Sequence, residues 1–146
     1  QKGLRWHPVT VRKVNFSPTM LAGKWSFFAG QIPSKDFKSY EGVPKGMLNY
    51  FSDIEKQTEF TLEILTEQLE ANGTDWENCH QVRLYLTEPN RDFRIFLKVW
   101  EKYFPNYKTA PALAYVPSVQ ENGKTGIMFD GPLIEIDPCC IEKKSS

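Results

Sequence analysis

Residues 52–73 read SDIEKQTEFTLEILTEQLEANG. Ser52-Asp53-Ile54-Glu55 has the spacing of a capping box, in which a serine oxygen and a carboxylate three positions on satisfy free amides at a helix start. Ile54, Thr58, Thr61, Leu62, Leu65 and Leu69 then recur at helical spacing, while Glu55, Lys56, Glu59, Glu63, Glu67 and Glu70 occupy mostly the other sides. Asn72-Gly73 supplies a left-handed stop. The pattern predicts one long amphipathic helix with a single face to bury.

Downstream, His80, Val82, Leu84 and Leu86 alternate with Gln81, Arg83, Tyr85 and Thr87, which predicts a strand closed by Glu88-Pro89. Asn90 is placed to cap a second helix, whose Phe93, Phe96, Leu97, Trp100 and Phe104 fall on one stripe, and Pro105 ends it. Two more strands are predicted, over residues 112–119 and 133–137. Upstream, residues 6–14 alternate as an edge strand, since Pro8 removes a ladder donor. A hairpin follows: Met20-Leu21, a tight turn at Ala22-Gly23-Lys24, and an aromatic strand Trp25-Ser26-Phe27-Phe28-Ala29 ending at Gly30. The order β-β-β-α-β-α-β-β is an α+β layout, a six-stranded mixed sheet with two helices on one face. The aromatic strand is apolar on both sides, so its second face needs another chain or sheet to cover it.

The chain of 146 residues suits a single domain, 1–146, and its 40% hydrophobic content excludes a disordered chain. Eighteen Lys plus Arg balance eighteen Asp plus Glu without clustering, so nucleic acid is a poor partner. No apolar run reaches the roughly 18 residues of a membrane span, and the N-terminal QKGLRWHPVTVRK lacks a signal-like stretch, so a cytoplasmic protein is expected. Three Cys, two of them adjacent, do not suggest a disulfide framework, in keeping with a reducing compartment. Gln1 in place of an initiator Met implies trimming or excision from a longer chain.

Chemistry-bearing residues are few. His7 and His80 lack the base and orienting partners of a Cys-His pair and read as structural. Cys139-Cys140 cannot easily present both sulfurs tetrahedrally and no Cys-x-x-Cys exists, so no metal is expected, nor any cofactor, since no phosphate loop accompanies Gly30. Glu135, set among Leu133, Ile134 and Ile136, is the exception. A carboxylate on a buried sheet face is either paired structurally or used as acid, base or water-holder.

Several segments in register resemble the Rid (YjgF/YER057c/UK114) superfamily and its RidA-like members. They are Phe27-Phe28-Ala29-Gly30-Gln31-Ile32-Pro33, Gln57-Thr58 with Leu69-Glu70-Ala71-Asn72-Gly73, and Val82-Arg83-Leu84-Tyr85-Leu86. Asp92-Phe93, the run from Val99 to Pro105, Ala110-Pro111-Ala112 and Ile134-Glu135-Ile136 continue the match, which spans about residues 16–137. Loops 34–52 and 120–131 are longer than the family's usual turns. The resemblance implies a YjgF-like (chorismate-mutase-like) fold, a homotrimer with ligand clefts between subunits, and hydrolysis of reactive imines and enamines to 2-keto acids and ammonia.

By the same resemblance, an arginine in a Pro-Ala-Arg run holds the substrate carboxylate through its planar fork. Here the run is Pro111-Ala112-Leu113, so the arginine position is Leu113. The family's tyrosine falls on Phe16, its serine on Ala29 and its cysteine on Tyr115, while Glu135 keeps the water-positioning carboxylate. Losing the bidentate contact removes about 2 kcal/mol or more of substrate binding, roughly thirtyfold. The expected ligand site is therefore Phe16, Ala29, Gly30, Leu113, Tyr115 and Glu135, with Glu135 the candidate catalytic residue. The leading expectation is a small-molecule-binding trimer without standard deaminase activity. The alternatives are a divergent hydrolase in which Glu135 positions water, its substrate either lacking a carboxylate or anchored by a cation elsewhere such as Arg83 or Lys124, and an assembly domain of a larger protein.

Overall fold

A computed structural model describes residues 19–28, 30–33, 53–116 and 133–143. Strands β1 (Thr19–Ala22) and β2 (Trp25–Phe28) precede helix α1 (Ile54–Ala71), a short 3-10 turn, β3 (Cys79–Leu86), helix α2 (Pro89–Tyr103), β4 (Ala112–Tyr115) and β5 (Ile134–Ile141). The sheet order is β1-β2-β5-β3-β4; β3 and β4 run parallel and the other neighbours antiparallel. This is the expected α+β arrangement with a mixed sheet, five of whose strands are described. The strand expected at 6–14 and the loops at 34–52 and 120–131 lie outside the described residues.

Helix α1 forms as its pattern dictates, with one refinement: the cap is Asp53, whose carboxylate accepts from the Lys56 N–H at 3.1 Å, rather than Ser52. At the other end Gly73, at φ +74°, makes the left-handed stop. Asn90 does not cap α2. Pro89 occupies the first turn, where a missing N–H costs nothing, and Glu88 before it makes no side-chain cap. Both helices lie on one side of the sheet, α1 against β5 and α2 against β3, and they pack on each other. Leu62, Leu65, Val82, Leu84, Phe96, Val99, Ile134 and Ile136 close the core between them, all at most 1% exposed.

Three local departures have physical causes. A bulge between Cys79 and Gln81 shifts the β3–β5 register, so Cys79 points inward and His80, which strict alternation would bury beside Val82, is exposed against the Trp25 ring at 5.1 Å. Strand β5 continues past Asp137 through Pro138 to Ile141, although proline withholds a ladder donor; it lies next to the bulge, where pairing is already irregular. Third, Cys79 and Cys140, opposite each other on β3 and β5, are joined by a disulfide, which corrects the expectation from cysteine count alone. Cys139 is the free thiol.

Candidate functional site

Alternation along β5 sends Ile134, Ile136, Pro138 and Cys140 toward the helices and leaves Glu135, Asp137 and Cys139 on the opposite, outer face. Cross-strand register completes that face in rows. Glu135 lies beside Tyr85, Asp137 beside Arg83, and Cys139 between Phe27 and Gln81. Trp25 and Phe27 stand on it 45% and 49% exposed, so among the described residues the second apolar side of the aromatic strand is only half covered.

Gly30 faces Glu135 closely. A Cβ added there would lie 2.5 Å from both Cδ and Oε2 of the carboxyl, so the missing side chain is what gives the Glu135 head room. Next to it, Gln31 exchanges backbone hydrogen bonds with Ile136 and fixes the segment against β5. The Gln31 side chain turns to the helix side, where its Oε1 accepts from Gln68 Nε2 at 3.0 Å. Burial pushes the Glu135 carboxyl above its ordinary range, and the negative charge of Asp137 pushes it further. Asp137 is itself raised by burial, while Arg83, whose Nη1 lies 3.9 Å from Oδ2, opposes the rise. Such a carboxyl can keep or give up a proton closer to neutrality than an exposed glutamate can.

The expected ligand residues divide between the two faces. Gly30 and Glu135 meet on the outer face. Leu113 pairs with Val82 and packs on the helix-side core, and Tyr115 pairs with Leu84 and sets its ring edge-on to Phe93 at 6.4 Å. One chain thus does not bring Leu113 and Tyr115 to Glu135. Phe16 and Ala29 lie outside the described residues. Asp137, Phe27, Gln81 and Cys139 were not singled out from the sequence for the site; the period-two alternation that marked Glu135 also places Asp137 and Cys139 on its face, but the pairing with Phe27 and Gln81 depends on strand order. Among the described residues no group of three His, Cys, Asp or Glu side chains is arranged to hold a metal ion.

Residues 10–125 match the family described as Endoribonuclease L-PSP. A RutC family protein from Pyrococcus horikoshii, PH0854, is 37% identical over 95 residues, which cover 65% of this chain and 68% of the relative. Among solved structures, TM0215 of Thermotoga maritima superposes with a TM-score of 0.71 at 23% identity over 99% of both chains. NMB1025 of Neisseria meningitidis, described as a member of the YjgF protein family, gives 0.70 at 16% identity over 97% of both. Two helices on one face of a mixed sheet, the close Gly30–Glu135 approach and these matches lead to one conclusion: the chain belongs to the Endoribonuclease L-PSP family of the Rid/YjgF superfamily.

Proposed function

We propose that the chain is a single Rid-like domain that assembles as a homotrimer, binds a small molecule in clefts between subunits, and lacks the standard 2-imino acid and enamine deaminase activity. The observation that carries this reading is Leu113. Where relatives of the deaminase type are expected to offer a guanidinium, this chain offers an aliphatic side chain packed on the helix-side core. It can neither pair with nor hydrogen-bond a carboxylate. Assembly is supported by the half-exposed Trp25 and Phe27 on the sheet face opposite the helices, and in the described residues no helix is long and apolar enough to cross a membrane.

A semicarbazide-coupled assay of 2-imino acid consumption, beside a Rid-family deaminase, tests the catalytic half of the proposal. The expected result is no activity above background, with Leu113→Arg restoring some if the rest of the cleft is intact; wild-type turnover near the control would overturn it. Light scattering tests the assembly, for which a trimer mass is expected. One observation favours a second reading, a hydrolase of altered specificity: the Glu135 carboxyl is half-buried, raised and given room by Gly30, as a group that positions water would be. Under that reading Glu135→Gln abolishes whatever hydrolysis is found, and an unchanged rate removes it.

A further inference from the structure

The Cys79–Cys140 disulfide sits where the sheet is least regular. Ser26, Cys140 and Cys79 stand in one row across β2, β5 and β3, and the register shift that follows leaves His80 unpaired in the ladder with β5. Cys79 and Cys140 are 4% and 0% exposed and pack with Phe28 and Leu69, while His80 turns to the other face and meets the Trp25 ring at 5.1 Å. The residue pattern favours the opposite placement, since His80, Val82, Leu84 and Leu86 alternate as one face. A one-residue shift would exchange the faces of Cys79 and His80, and the covalent hold on Cys79 opposes it.

The same surroundings suit a reduced form that stays folded. The Asp75 carbonyl oxygen lies 3.4 Å from Cys79 Sγ; a disulfide sulfur has no proton to give it, whereas a thiol has one. The turn before β3 is tied to the end of β5 without help from the disulfide. Thr74 Oγ1 donates to the Ile141 carbonyl at 2.6 Å, the Lys143 N–H to the Gly73 carbonyl at 3.1 Å, and Lys143 Nζ stands 3.4 Å from Asp75.

We infer that Cys79–Cys140 is a redox-sensitive clamp: oxidised, it holds the bulge with His80 against Trp25; reduced, it releases the bulge, and the Trp25 face loses that contact while the fold persists. The reductant is a dithiol. One of its thiolates attacks the less buried sulfur, Cys79 Sγ, the Cys79–Cys140 bond breaks, and Cys140 leaves as a thiolate that takes a proton. The second thiolate then displaces Cys79, which is protonated in turn, and the dithiol departs as a cyclic disulfide, having given two electrons and two protons. Trp25 stands on the face proposed to assemble, so the clamp also sets the strength of assembly. That consequence alone rests on the preceding proposal.

The test compares wild-type protein after prolonged incubation with oxidised dithiothreitol or with dithiothreitol. Alkylation in denaturant is expected to count one thiol in the first sample and three in the second. By NMR, reduction is expected to move the His80 ring resonance toward its position in oxidised Trp25→Leu. The His80 and Gln81 amides are expected to exchange at least about tenfold faster, with the resonances of α1 and α2 unmoved. Cys79→Ser without reductant is expected to match the reduced protein, and Cys139→Ser to respond as the wild type does. In a dilution series followed by light scattering, the reduced protein is expected to dissociate at about tenfold higher concentration than the oxidised. Three thiols in both samples, a His80 resonance and amide exchange indifferent to reduction, or loss of the helix resonances on reduction would each overturn the clamp. Light scattering keeps the two proposals apart: a monomer whose His80 responds to reduction overturns the trimer alone, and a trimer whose His80 does not respond overturns the clamp alone.

Discussion

Gly30 shows how one missing side chain sets up a site. The Glu135 carboxyl occupies the space in which a Cβ at position 30 would stand. The obstructing atoms are the end of a flexible chain, so Gly30→Ala is expected to push the carboxyl outward rather than break the sheet. A cost of about 1 kcal/mol fits such overpacking, and NMR titration should find the Glu135 pKa moved back toward its ordinary value. Glu135 has its own signature in pH. Its folded-state pKa is raised, so the native protein holds the proton more tightly than the unfolded chain does. That contribution to stability is fully present below the ordinary carboxylate pKa, roughly 4, and is lost as pH rises through the folded value. Glu135→Gln should therefore raise the melting temperature near neutral pH, and the gain should shrink toward pH 4 in a melting series. Equal gains at both ends would assign the effect to packing rather than charge.

Among the elements, α1 shows how buried polar groups serve the fold. Gln57 is 2% exposed, and its Oε1 accepts from the Leu133 N–H at 2.7 Å, tying the first turn of α1 to the start of β5. Gln57→Leu keeps the bulk but leaves that amide buried without its acceptor, a loss of about 1–3 kcal/mol readable in chemical denaturation. On the same helix Thr58 and Thr61, both fully buried, return their hydroxyls to the backbone carbonyls of Ile54 and Gln57, so they fill core positions without an orphaned donor. That is why a stripe containing two threonines still reads and folds as an apolar face.

For the whole molecule, Cys79–Cys140 joins positions 61 residues apart and encloses all of β3, α2 and β4 in one loop. Loop-closure entropy alone makes such a bond worth about 4 kcal/mol against the unfolded chain. Unfolding in guanidinium with and without reductant should show a drop of that order in the oxidised protein, and Cys79→Ser should be indifferent to reductant. Both sulfurs lie within a small core with Phe28 and Leu69, so reduction should need prolonged exposure or partial unfolding, which timed alkylation would measure.

What the sequence determined by itself was the local grammar and, through it, the class of fold. Helical spacing over Ile54 to Leu69, alternation from Val82 to Leu86, and Gly and Pro at the boundaries express periods that depend on neighbouring residues alone. The family resemblance was legible for the same reason, being carried by short runs in order. Glu135 was legible as a candidate because a carboxylate among Ile134 and Ile136 breaks an apolar pattern. Only the tertiary structure decided which residues share a face. A single bulge turns His80 outward and Cys79 inward, strand order sets Cys79 opposite Cys140 and Arg83 beside Asp137, and the parallel pairing of β4 sends Leu113 to the helix side, away from Glu135. These relations join positions tens of residues apart through register, and a one-residue shift exchanges the two faces of a strand; no local period in the chain encodes that choice.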